Sequence, residues 1–413
     1  MWPVFALRRL PIVFVVLSVL LLSGGIGWAL GNNSILSFML LGSFLIHMAT
    51  RPGRREWLTV LGLAVLLRTA YAAFLGFHPY FGSVLVSWGS FLGLASLVVQ
   101  LIWMARVRGE ARAARRITFL TTGALPYSWL ILAFCLSFVT RTPRSFDAYL
   151  LAFDSSLGAP VSFVFGRYLA ENALLRHLTK TVYDALPLGA SCILAWNNRS
   201  RFRPVSVIPM YITMMVLGYG LYWLYPAAGP AFAYRGMFPF ASPEKWQILA
   251  MGVAPFDAPR NAMPSLHFGA MLLLMWNSRS WPVAGRVAAA AFSCGIAFAT
   301  LGLGEHYLID LVVAFPFMLA LQAAWSESVP LRSACRYQAM AAGGMATAAW
   351  FLALRWGLPA FLASAPLAWG CVVLTVGGTI WMERRLARVA WGLDGVAVSA
   401  AGDSLCRAAS TTA

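Results

Sequence analysis

Charge is scarce in this chain. Only 11% of its 413 residues are Asp, Glu, Lys or Arg, and just 14 are acidic. Soluble domains run at about 25% charged and about 45–50% apolar; here 60% of residues are hydrophobic. A soluble globular class is therefore excluded, because the surplus comes in runs of about 20 residues, the length a bilayer span needs. Cysteine is also sparse. Six are scattered (Cys135, Cys192, Cys294, Cys335, Cys371, Cys406) without a CxxC pair, which excludes a disulfide framework and a zinc site. The 31 basic residues, giving a net charge of +17, form short clusters between apolar runs instead of one continuous basic face. Such clusters set membrane topology and attract anionic head groups; they do not make a nucleic-acid site. No cleavable leader is evident, since the run after Arg8 and Arg9 is too long for an h-region and reads as a retained first span.

What is present is an all-α, polytopic transmembrane pattern. Hydropathy predicts about 12 spans, near 10–30, 34–50, 57–77, 82–104, 118–139, 181–196, 205–226, 265–277, 283–303, 306–325, 338–356 and 360–382. Arginine clusters follow the even-numbered spans: Arg51, Arg54 and Arg55; Arg106 to Arg116; Arg199 to Arg203; Arg279 and Arg286; Arg332 and Arg336; Arg384 to Arg388. The positive-inside rule then puts both termini in the cytoplasm, and the loops near 140–180 and 227–264 outside. The first of these carries Phe146, Tyr149, Leu150 and Phe153 at helical spacing, so it is either an amphipathic helix in the outer interface or a packed loop. The predicted organisation is a four-span region (1–117), a six-span core (118–325), two further spans (326–390) and a small, polar, disordered tail (391–413).

Two of the five histidines stand in motifs that this topology places on one membrane face. In Met263-Pro264-Ser265-Leu266-His267 an outer loop turns into a span. Pro264 favours a helix start and Ser265 suits a cap. The free N–H groups there form an anion site for which phosphate is a natural guest. His267 would sit beside that anion as a general acid, and Arg260 just upstream could grip its oxygens. In Gly304-Glu305-His306-Tyr307-Leu308-Ile309-Asp310 the spacing of four puts His306 and Asp310 on one face of a helix. A carboxylate behind an imidazole fixes its tautomer and activates it as nucleophile or base. An Asp one turn into a span is costly unless it has such work. Each piece alone has a structural explanation: a solvated interfacial histidine, an ordinary cap, an arginine meeting lipid. Their coincidence at one face favours a phosphate-handling site.

Pro264-Ser265-Leu266-His267 and His306-Tyr307-x-x-Asp310 resemble the Pro-Ser-x-His and His-x-x-x-Asp elements of the type 2 phosphatidic acid phosphatase superfamily. Together with Tyr225-Pro226-Ala227-Ala228-Gly229-Pro230, they are similar to its inositol phosphorylceramide synthase-like branch. The resemblance covers about 118–325 and implies a six-helix core. It implies that His306 forms a phosphohistidine, Asp310 orients it, His267 protonates the leaving group and Ser265 holds a phosphate oxygen. The phosphatases' Lys, six residues, Arg-Pro element is missing: Lys180 has Pro187 where Arg would stand, and Thr300 replaces the Arg six residues before the nucleophile. Arg235, Arg260 or Lys180 would have to substitute as the phosphate clamp.

These observations predict a lipid phosphotransferase or phosphatase at the outer face, probing a lipid donor and an alcohol or water acceptor, without cofactor, metal or nucleic acid. Arginine's excess over lysine and the abundant alanine suit a bacterial inner membrane. Two other classes compete. Twelve spans with Arg68 and Asp184 inside them suggest a secondary transporter, although no repeat is visible. His267, His306 and Asp310 could instead hold zinc or iron. Oligomeric state is not written in the sequence.

Overall fold

A computed structural model describes residues 34–75, 84–139, 145–199, 203–245, 247–251 and 258–392. These residues fold as helices and their connections, with no strand among them. In chain order they are α1 (Ser34–Ala49), α2 (Arg54–Leu75), α3 (Val84–Arg106), α4 (Gly109–Val139), α5 (Asp147–Ser156) and α6 (Val161–Glu171). Next come α7 (Ala173–Asp184), α8 (Leu186–Arg199), α9 (Val207–Leu224), α10 (Pro230–Ala233) and α11 (Ile248–Met251). The last are α12 (Leu266–Asn277), α13 (Val283–Gly302), α14 (Leu308–Ala324), α15 (Ala334–Trp356), α16 (Leu358–Ala363) and α17 (Ala365–Ala390). The chain divides into two compact units, Met1–Cys135 with Lys180–Ser200, and Leu136–Thr179 with Arg201–Ala413.

The first unit has a polar node inside an apolar bundle. Glu56, in the first turn of α2, accepts from Gln100 (3.0 Å) and Arg115 (2.7 Å) and meets the His47 ring at 3.0 Å. A carboxylate at a helix start also complements the helix dipole. Arg68 stacks 5.1 Å from the Trp88 ring centroid, and Asp184 pairs with Lys180 at 3.1 Å. The two charges that suggested transport thus each have a partner close by.

The second unit is organised around α14. Its sequence is apolar almost all round, the signature of a helix surrounded by others; Ile309, Val313, Ala314 and Met318 are fully buried. Gly343 on α15 lets that helix approach the backbone of Pro316 and Ala320. At the far end, Arg336 donates to the carbonyls of Ala323 (2.8 Å) and Ala324 (2.7 Å), satisfying the last turn of α14 and complementing its dipole. Segment 145–175 is helical, with α5 buried and α6 leaving Val164 and Tyr168 exposed. It is two helices, α5 and α6, bent by 92°. Leu150, Leu151 and Phe153 of α5 are all inaccessible, Phe153 meeting Trp350 and Phe361 edge-on.

The expectation of about 12 spans is corrected. Among the described residues five helices are long and apolar enough to cross a membrane: Arg54–Ala73, Trp88–Arg106, Val207–Leu224, Val283–Gly302 and Ala365–Ala390. Counting the bent pair α5 and α6 as one span gives six. Hydropathy reads composition but not helix length. The expected eighth span folds as the 12-residue α12, and the tenth as the 17-residue α14. The sixth breaks at Ala185. The eleventh, α15, is diluted by alanine and glycine. The expected first span and the tail beyond Gly392 lie outside the described residues.

A β-carbon at Gly343 would come within 2.5 Å of the Pro316 carbonyl oxygen, whereas one at Gly344 meets nothing within 4 Å. Gly343→Ala is therefore expected to destabilise the protein by about 1–3 kcal/mol, an overpacking cost. Thermal unfolding in detergent should show a lowered midpoint for this variant and an unchanged one for Gly344→Ala.

Candidate active site

The site begins where α13 stops. Gly304, at φ +73°, turns the chain, and the N–H groups of Glu305 and His306 both donate to the Thr300 carbonyl at 3.1 Å. Only glycine adopts that φ without strain. Tyr307 is the N-cap of α14, so His306 precedes the helix instead of lying on its face. The expected pairing forms by another route. Asp310, third residue of α14, reaches back to accept the Tyr307 N–H (2.8 Å) with the same Oδ2 that faces His306 Nδ1 at 3.3 Å. This reaching-back carboxylate is the acidic half of a capping box.

The second histidine arrives on α12. Ser265 is its N-cap, accepting the Phe268 N–H at 3.2 Å, and Pro264 stands one residue before the cap. The Ser265 N–H donates to the Asp310 carbonyl (3.1 Å), fastening the start of α12 to the start of α14. His267 Nδ1 consequently lies 3.4 Å from His306 Nε2, with ring centroids 5.6 Å apart and planes inclined at 65°. His306 is buried and His267 partly accessible, so the pair is open on the His267 side. With Nδ1–H directed at Asp310, the Nε2 lone pair of His306 faces His267. His306 sits in the connection between α13 and α14. Burial pushes its imidazole down to about 3, against a hydrogen bond to the Ala262 backbone that favours the charged form.

Two carboxylates absent from the sequence expectations hold this corner together. Asp154 accepts the N–H groups of Leu308 (2.6 Å) and Ile309 (3.1 Å), capping α14 from α5. Asp147 accepts the Tyr307 hydroxyl (2.8 Å) and the N–H groups of Ala228 (3.1 Å) and Gly229 (2.9 Å), and pairs with Ser145. The stretch Tyr225 to Pro230 is thereby drawn across the site. Gly229, at φ +94°, packs against the backbone of Glu305, where no side chain fits. The signal was available: Asp147 and Asp154 are two helical turns apart in an apolar segment, and such carboxylates need dedicated donors.

The four expected phosphate-binding residues fare unequally. Ser265 lies at the site. Arg260 is buried on the segment leading to His267, its Nη1 donating to the Ala258 carbonyl at 3.1 Å. Arg235 is exposed in the turn after α10, and Lys180 belongs to the first unit, paired with Asp184. Among the described residues no three His, Cys, Asp or Glu side chains are grouped as a metal ion would require.

A family model described as PAP2 superfamily matches residues 148–324, a stretch that contains both histidines, Asp310 and Asp154. No curated protein and no solved structure matches the chain. The superfamily match supports a membrane enzyme of phosphatase or phosphotransferase type, without distinguishing the two.

Two outcomes are expected. Asp154→Ala should cost about 1–2 kcal/mol of stability through loss of the α14 cap, and should lower turnover as the Tyr307 to Asp310 turn loosens. Thermal unfolding and a rate assay on one preparation check both. An unfolded histidine titrates near 6.5, so native His306 binds fewer protons than the unfolded chain between about pH 3 and 6.5. Its contribution is present above about pH 6.5 and is lost as pH falls toward 3. Unfolding midpoints at pH 7 and pH 5 should therefore differ less in His306→Gln than in the wild type.

Proposed function

We propose that the chain is a membrane lipid phosphotransferase or phosphatase that moves a phosphoryl-containing head group by way of a phosphohistidine on His306. One observation carries this reading: two imidazoles face each other with a carboxylate on the far nitrogen of one of them. That arrangement supplies a nucleophile, its orienter and an acid–base partner.

In the first step the Nε2 lone pair of His306 attacks phosphorus and the bond from phosphorus to the leaving oxygen breaks. Asp310 stabilises the positive charge arriving on the ring. His267, whose charged form an incoming anion favours, gives the leaving oxygen a proton. In the second step His267 takes a proton from an acceptor hydroxyl, whose oxygen attacks phosphorus and releases His306. A lipid or sugar alcohol as acceptor makes a transferase; water makes a phosphatase. Phosphorus and leaving oxygen between the rings need a nitrogen-to-nitrogen span of roughly 6 Å. The accessible His267 must therefore turn outward from its 3.4 Å contact as substrate enters. Ser265 keeps its hydroxyl proton for a phosphate oxygen, and Arg260 is the cation closest to hand in sequence.

The proline-rich stretch drawn over the site by Asp147 favours an inositol phosphorylceramide synthase-like branch and transfer over hydrolysis. The arginine clusters between the apolar runs are what supports a site on the non-cytoplasmic face, periplasmic if the membrane is a bacterial inner one. Purified protein given radiolabelled phospholipids should release labelled head group slowly alone and faster with an added alcohol, the label moving to that alcohol. His306→Ala should abolish release, a loss of at least about 10³-fold for a missing nucleophile, while eluting as a folded protein. Release that survives in His306→Ala would leave the reading without its nucleophile.

A further inference from the structure

A cavity of about 800 Å³ opens between α9, α14 and α15. Its walls are almost wholly apolar and include Val216, Gly220, Leu224, Phe317, Gly344 and Leu352. From Met340 to Trp356 on α15 it runs about 24 Å at the rise of an α-helix, more than the ~15 Å that half a bilayer's hydrocarbon spans. One end has a different character. Arg355 and Trp356 stand there, together with Tyr225, the residue that enters the stretch held by Asp147.

Two observations at that end point to an amphiphilic guest. Tyr225 is among the lining residues; its side chain is 2% exposed and its hydroxyl has no hydrogen-bond partner among the described residues. A buried hydroxyl without a partner keeps its proton for a ligand oxygen. The Tyr225 ring stacks on Phe146 with 4.3 Å between centroids, the same ring that Arg355 meets. Arg355 is exposed and stacked on rings, 5.5 Å from the Phe146 centroid and 5.3 Å from Trp356, without an ion pair among the described residues. A guanidinium beside aromatic rings and without a paired carboxylate has N–H donors to give to an anion.

We infer that this cavity is the acyl-chain site for an anionic phospholipid: one tail lies between α9, α14 and α15, and the head-group phosphate meets Arg355 and the Tyr225 hydroxyl on its way to His306. The inference rests on the proposed lipid chemistry and extends it, since α15 lies outside the matched stretch 148–324. A helix added to the catalytic core would thus supply half of the lipid slot and a phosphate-binding cation.

The test uses the full chain in phosphatidylcholine vesicles doped with phosphatidic acid that carries a diazirine in one tail. After illumination, adducts are mapped by mass spectrometry. They should concentrate on 213–225, 317–324 and 340–356. Gly344→Phe and Gly220→Phe put a ring into space where a β-carbon meets nothing, so each should fold and cut these adducts by about tenfold. Arg355→Gln should lower labelling by the anionic probe about fivefold relative to a phosphatidylcholine probe. Adducts scattered over outward residues such as Val283 and Val287, and unchanged in both glycine variants, would overturn the inference. Cross-links joining two copies through the cavity walls would overturn it too. His306→Ala should label like the wild type, so a failed catalytic assay does not decide the cavity question.

Discussion

Everything at this site depends on how the first turn of α14 is anchored. A helix start leaves N–H groups without partners, and in an apolar setting that debt has to be met by side chains. Here three of them are satisfied by carboxylates: Leu308 and Ile309 by Asp154, Tyr307 by Asp310. The arrangement fixes more than the helix. Because Asp310 turns back to cap, its carboxylate stands behind His306; because its carbonyl accepts from Ser265, the start of α12 is bound to the same corner. Two histidines 39 positions apart in sequence therefore meet through backbone and capping bonds, with no bond between the rings needed to hold them.

Much of the site was legible because its chemistry is local. The motif around His306 encodes its own orienting acid within one turn, and Ser265 announces a cap. The physical route was different, since His306 precedes α14 and the pairing comes from a capping box, not from a shared helical face. The supporting acids stood out as charges in an apolar segment, but their roles were not legible, because their partners are 81 to 160 positions away and only the fold shows which donors they meet. Arg336 was visible as part of a topology cluster, yet its guanidinium is spent on the last carbonyls of α14.

The span count failed for a related reason. Hydropathy registers that a segment is apolar, but apolar segments can be interior helices as well as crossings. The helices α5, α12 and α14 are buried by neighbouring helices and need not be long. Buried short helices around a polar corner, flanked by longer apolar ones, suit a catalytic centre that must be kept dry on one side and reached from the other. The partial exposure of His267 beside the buried His306 is the local expression of that asymmetry.

The central claim is that His306 becomes covalently phosphorylated, and the most direct measurement is to look for that bond. Protein quenched in alkali during turnover of a phosphorus-labelled lipid, then digested and mapped, should carry an acid-labile, base-stable phosphoramidate on the peptide containing His306. His267→Gln should accumulate it by slowing its resolution. Label on His267, label of ester stability on another side chain, or turnover with no trapped phosphoenzyme in either protein would contradict the account.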